Sequence, residues 1–72
     1  MRFGEVLREV MDERGVTQSQ LARMSGVSRQ AINRLIAGHV RDPRLPIAKK
    51  LASALGVSLD EIAARMEEDE EP

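Results

Sequence analysis

The stretch from Thr17 to Ser28 limits this fold more than any other. Thr17-Gln18-Ser19-Gln20 has the form of a capping box. The Thr17 hydroxyl can accept from the backbone N–H of Gln20, and the Gln20 side chain can reach back to Thr17. A short helix follows, from Gln18 to about Met24, with Leu21 and Ala22 inward, and Ser25-Gly26-Val27 breaks it. Gly26 is the residue there that takes a positive φ without steric cost. Val27 plugs the corner, and Ser28 caps a second short helix, Arg29 to Ile36, whose apolar stripe is Ile32, Leu35 and Ile36. Ile32 and Leu35 are expected to pack back on Leu21 and Ala22. A side chain larger than alanine at 22, or any residue but glycine at 26, is expected to push the two helices apart.

Helical periodicity organises the remainder. Phe3, Val6, Leu7, Val10 and Met11 make one apolar stripe between about Arg2 and Arg14, and Gly15 stands where a left-handed C-cap would end it. Ala37-Gly38 closes the third helix, and His39 to Arg44 is a loop marked by Asp42-Pro43. Pro46 suits the first turn of a fourth helix, where its missing N–H costs nothing. Ala48, Leu51, Ala52 and Leu55 form that helix's buried face, and Gly56 ends it. Ser58-Leu59-Asp60-Glu61 is another capping box, opening a fifth helix with Ile62, Ala63 and Met66. The expectation is an all-α fold of five short helices over residues 1–66, with residues 67–72 an acidic, disordered tail that cannot bury anything.

Charge is unevenly placed. The formal net charge is −1, yet Glu67, Glu68, Asp69, Glu70 and Glu71 hold five of the twelve acids. From Ser28 to Lys50 the chain carries Arg29, Arg34, Arg41, Arg44, Lys49 and Lys50 against Asp42 alone. A basic centre followed by an acidic run points to a polyanionic partner. Other classes are disfavoured. The chain has no cysteine and one histidine, so neither a disulfide nor a metal centre is expected, and no cofactor. Phe3 is the single aromatic, too little for stacking single-stranded bases. No apolar run is long enough for a membrane span, and the start lacks a signal peptide's apolar region. A cytoplasmic, nucleoid-associated protein without enzymatic activity fits these features.

The outward residues of the third helix are Arg29, Gln30, Asn33 and Arg34. Arginine pairs bidentately with guanine O6 and N7, and glutamine or asparagine with adenine N6 and N7. Arg29 and Gln30 lie in the first turn, the part of a recognition helix that enters the major groove most deeply. Gln18, opening the second helix, is placed to bond a phosphate and set the docking angle. Two short helices joined by such a turn have the geometry of a helix-turn-helix.

Thr17-Gln18-Ser19-Gln20-Leu21-Ala22, Gly26-Val27-Ser28-Arg29-Gln30-Ala31-Ile32, Gly38, Pro43, and Leu51 through Ile62 resemble the Cro/C1-type, XRE-like helix-turn-helix domains with the lambda-repressor-like fold. The resemblance covers about residues 3 to 66. It implies a sequence-specific, double-stranded DNA-binding transcriptional regulator, repressor-like, that reads the major groove with residues 28–36. It implies that Thr17 and Gln18 belong to the DNA-binding set, Gln18 touching a phosphate and bracing the recognition helix. It implies that Arg29, Gln30 and Arg34 read bases and that Ser28 and Asn33 contact phosphate or flanking bases. His39, Arg41 and Arg44 lie in the loop that tracks the backbone, with Arg44 near the minor groove. Two features depart from the pattern: Asp42 stands where the phage repressors are basic, and the acidic tail is foreign to the family.

The resemblance further implies a homodimer on a near-palindromic operator. Leu59, Ala63 and Met66 are candidates for its surface, the alternative being that this stripe is wholly core. A second functional reading is a protein-interaction module that keeps the fold, an antitoxin or adaptor whose partner is a toxin or another regulator. The acidic tail is expected to be a solubilising end, with folding over the basic face or docking on a partner as alternatives.

Overall fold

A computed structural model describes residues 1–68, and it contains five helices in sequence: α1 (Phe3–Arg14), α2 (Gln18–Ser25), α3 (Arg29–Ile36), α4 (Leu45–Leu55) and α5 (Leu59–Glu68). No strand occurs among the described residues, and no helix there is long and apolar enough to cross a membrane. The fold is all-α, as the periodicity requires. α5 continues through Glu67 and Glu68, which the sequence reading assigned to the acidic tail. The rest of that tail, 69–72, lies outside the described residues.

Each helix contributes its stripe to one core. Leu7, Leu21, Ile32 and Leu51, from the first four helices, are buried essentially completely, and Ile62 joins them from α5. Burying a side chain of this size contributes about 1.5–3 kcal/mol. The five stripe residues of α1 and the four of α4 are all buried, and Val27 fills the corner as expected. On α3, Ile32 and Leu35 are buried and Ile36 half-buried. The α5 stripe is only part core: Ile62 is buried, Leu59 and Met66 are half-buried and Ala63 is exposed, so the alternative that it is wholly core does not hold.

Gly26 adopts φ 76, a left-handed conformation, and its N–H donates to the Ala22 carbonyl at 3.0 Å. A Cβ there would meet nothing within 4 Å. The glycine is required by backbone conformation, as the expected positive φ implies, at about 1–2 kcal/mol for an L-residue, while the expected crowding between helices is absent there. Crowding occurs at Gly4 instead. A Cβ on Gly4 would stand 1.9 Å from the Leu35 carbonyl oxygen and 2.6 Å from its carbon. Here α1 lies backbone to backbone on the end of α3.

Two polar ties hold the outer helices. Arg14 Nε donates to the Leu55 carbonyl, supplying one of the partners that the end of α4 lacks. Arg65 on α5 donates to Glu9 at 3.0 Å, to both carboxylate oxygens of Glu13 at 2.7 and 3.0 Å, and to Glu61 at 3.2 Å. Ser58 Oγ accepts from Glu61 N at 3.0 Å, but the Glu61 carboxylate serves Arg65. The hydrogen bonds from Arg65 hold the Glu13 carboxyl below its ordinary value of 4.5, and the same pairing raises the arginine.

A depressed carboxyl pKa stabilises the fold above the unfolded value, and that gain is lost as pH falls through the folded value. Arg65→Ala should therefore lower the melting temperature at neutral pH, and the gap to wild type should close on acidification below the ordinary Glu13 value. Gly4→Ala forces two backbones apart and should cost about 1–3 kcal/mol or more in urea denaturation.

Candidate nucleic-acid interface

The surface formed by α2, α3 and the turn between them is built by local caps. Thr17 Oγ1 accepts from Gln20 N at 3.1 Å, and Gln20 Oε1 accepts from Thr17 N at 2.9 Å, so the capping box forms in both directions. Ser25, which the sequence reading passed over, staples the corner. Its hydroxyl donates to the Leu21 carbonyl at 2.7 Å and accepts from Val27 N at 3.1 Å. Ser28 then caps α3, its Oγ accepting from Ala31 N at 3.1 Å. The hydroxyl hydrogens of Thr17 and Ser28 remain able to donate outward.

α3 is eight residues long and offers the core one face, Ile32 and Leu35. Arg29, Gln30, Asn33 and Arg34 fall on the other, and all four are exposed. They recur as adjacent pairs one helical turn apart, a single stripe of two guanidiniums and two carboxamides. Gln18 is half-buried at the start of α2 and Thr17 is exposed. His39, Arg41 and Arg44 are exposed on the α3–α4 loop.

That loop is tied to α3 by its backbone. The Arg34 carbonyl accepts from His39 N at 2.9 Å, and the Leu35 carbonyl from Gly38 N at 3.1 Å. Ala31, Leu35, Val40, Pro43 and Ile47 line a recess of about 210 Å³ between α3, the loop and α4, bordered by Arg34 and Arg44. Arg44 is the N-cap residue of α4 and supplies no side-chain cap, so it leaves that helix start without one. Among the described residues every ion pair belongs to Arg65. The exposed side chains of Arg29, Arg34, Arg41 and Arg44 are thus without carboxylate partners, and Glu9 and Glu13 of α1 are engaged on the α5 side. Cations, carboxamides and hydroxyls, with none of these arginines paired to an acid and Asp42 the one carboxylate of the loop, form a surface suited to a polyanion.

A second exposed feature is apolar. Leu45 is 64% exposed, and it shares a groove of about 300 Å³ with Phe3, Pro43, Leu59, Ala63 and Met66. The three α5 residues that the sequence singled out do come together here. Leu45 was missed because it continues the α4 stripe one turn past the edge of the core, where spacing cannot show that burial has ended.

A family profile described as helix-turn-helix matches residues 7–62. The chain belongs to the helix-turn-helix family. Among its curated relatives is the HTH-type transcriptional repressor RghR of Bacillus subtilis strain 168. It is 46% identical over 55 residues, 76% of this chain and 41% of the relative. Repressor protein C of Rhizobium phage 16-3 is 37% identical over 67 residues, 93% of this chain and 25% of the relative. The uncharacterized HTH-type transcriptional regulator RghRB of B. subtilis is 37% identical over 62 residues, covering 86% and 45%. This helix-turn-helix chain therefore spans less than half the length of the relatives it matches.

Within this helix-turn-helix the Ser28 cap carries the start of α3. Ser28→Ala should cost about 0.5–2 kcal/mol in denaturant unfolding. Ser28→Asp, which restores an acceptor, should recover most of that stability.

Proposed function

We propose that this helix-turn-helix domain binds double-stranded DNA in a sequence-dependent manner and acts in the cytoplasm as a repressor-type transcriptional regulator. The observation that carries the reading is the unpaired, exposed stripe Arg29, Gln30, Asn33 and Arg34 on a helix whose opposite face is anchored by Ile32 and Leu35. α3 enters the major groove, with its first-turn residues at base edges. Gln18, with Thr17 and Ser28 beside it, bonds phosphates and fixes the approach angle. Arg41, Arg44 and His39 follow the backbone beyond the groove. The names of RghR and of the phage repressor protein support a repressing role.

The groove around Leu45, Leu59, Ala63 and Met66 supports a homodimer. Two copies placed one helical turn apart, roughly 34 Å, would read a near-palindromic site. The same groove is what favours the alternative of an antitoxin or adaptor, in which another protein covers it. In-vitro selection from a random duplex pool separates the readings. Enrichment of a two-fold repeat supports a dimeric DNA reader, and absence of any enriched sequence overturns it.

Within the selected site, Arg29→Ala should cost about 1–3 kcal/mol and relax preference at one base position. Arg44→Ala should weaken all sequences evenly and reduce the slope of log K against log salt by about 0.9. Both are read from fluorescence anisotropy across a salt series.

A further inference from the structure

Arg2 is the N-cap residue of α1, extended at φ −79 and ψ 160, with an exposed side chain. Its position is fixed from three directions. Two residues on, Gly4 rests against the Leu35 carbonyl at a separation no side chain could share. The backbone of α1 is thereby locked to the end of α3. On the other side, the Met1 amino nitrogen donates to the Met66 carbonyl at 2.7 Å. Between these anchors the guanidinium lies along the start of the α3–α4 loop: a Cβ built on Gly38 would stand 3.6 Å from Arg2 Nη1. His39 is the next residue, and Arg41 and Arg44 complete the same loop.

The acid nearest in sequence does not neutralise this cation. Glu5 Oε1 accepts from the Arg2 backbone N–H at 2.7 Å, and every ion pair among the described residues is made by Arg65. A guanidinium placed by backbone packing beside a cationic loop is pre-organised for a tetrahedral oxyanion, which it can take bidentately. Placing a further arginine beside the start of a loop that already carries Arg41 and Arg44 is unfavourable in the free protein through like-charge repulsion. A phosphate backbone relieves that repulsion.

We propose that Arg2 is a phosphate-binding residue of the DNA interface, extending it from the α3–α4 loop onto the start of α1. The inference rests on the DNA reading above. Because the contact is to the backbone, it sets affinity and salt dependence and leaves base preference alone. Arg8 supplies the control. It is exposed on the same helix, about 9 Å further along the axis, and its removal changes net charge equally.

The test is a salt series of duplex binding for wild type, Arg2→Ala, Arg2→Gln, Arg2→Lys and Arg8→Ala, on a selected and a scrambled duplex. Circular dichroism melts verify that each variant is folded. Arg2→Ala and Arg2→Gln should each reduce the slope of log K against log salt by about 0.9. They should weaken both duplexes by the same factor, so that their ratio is unchanged. Arg2→Lys and Arg8→Ala should keep the wild-type slope. If Arg2→Ala and Arg8→Ala behave alike, Arg2 is idle or engaged by Glu67 and Glu68 beyond Met66, and the proposal falls while the DNA reading stands. If wild type binds neither duplex, the DNA reading itself falls and takes this one with it.

Discussion

α3 can bury only one face, and everything else in the molecule follows from that limit. An eight-residue helix has little stability of its own in water. Ile32 and Leu35 hold it in the core, where α3 packs on α1 and α2 in one cluster with Leu7 and Leu21. Anchoring by one face leaves the opposite face free, and the free face carries two arginines and two carboxamides. The remaining helices act as a mount. α2 and the Ser25–Ser28 corner fix where α3 begins, and α1, through Gly4, fixes where it ends.

The electrostatic design follows the same division. Glu9 and Glu13 of α1 and Glu61 of α5 converge on Arg65, whereas the arginines of α3 and its loop have no acid partner among the described residues. An exposed ion-pair cluster adds little stability. Its larger consequence is spatial: it keeps the carboxylates of Glu9, Glu13 and Glu61 engaged on the α1–α5 seam. Asp42 is the exception, an acid set within the loop between Arg41 and Arg44. For the proposed contact between this loop and a phosphate backbone its charge is locally unfavourable.

The elements legible in the sequence were those governed by local rules. Thr17, Ser28 and Ser58 cap the helices they precede, and the stripes of α1 and α4 are buried residue for residue. The outward set on α3 could be listed because its helix is short and its inward residues are unmistakable. What escaped depends on contacts distant in sequence. Gly4 looks unremarkable in a helix stripe until Leu35, thirty-one residues on, is seen pressed against it. Arg65 finds Glu9 and Glu13 across the α1–α5 seam, which no spacing rule encodes. The fifth stripe stayed open between core and surface in the sequence because periodicity shows which side of a helix is apolar, not whether a neighbour covers it.

The most direct test is amide and side-chain chemical-shift mapping of the protein on titration with its selected duplex. The largest perturbations should fall on Arg29, Gln30, Asn33 and Arg34, with smaller ones at Gln18 and the Arg41–Arg44 loop, and the Glu9, Glu13 and Arg65 cluster should stay silent. Perturbations centred on that cluster, with an unmoved α3 stripe, would contradict the proposed interface.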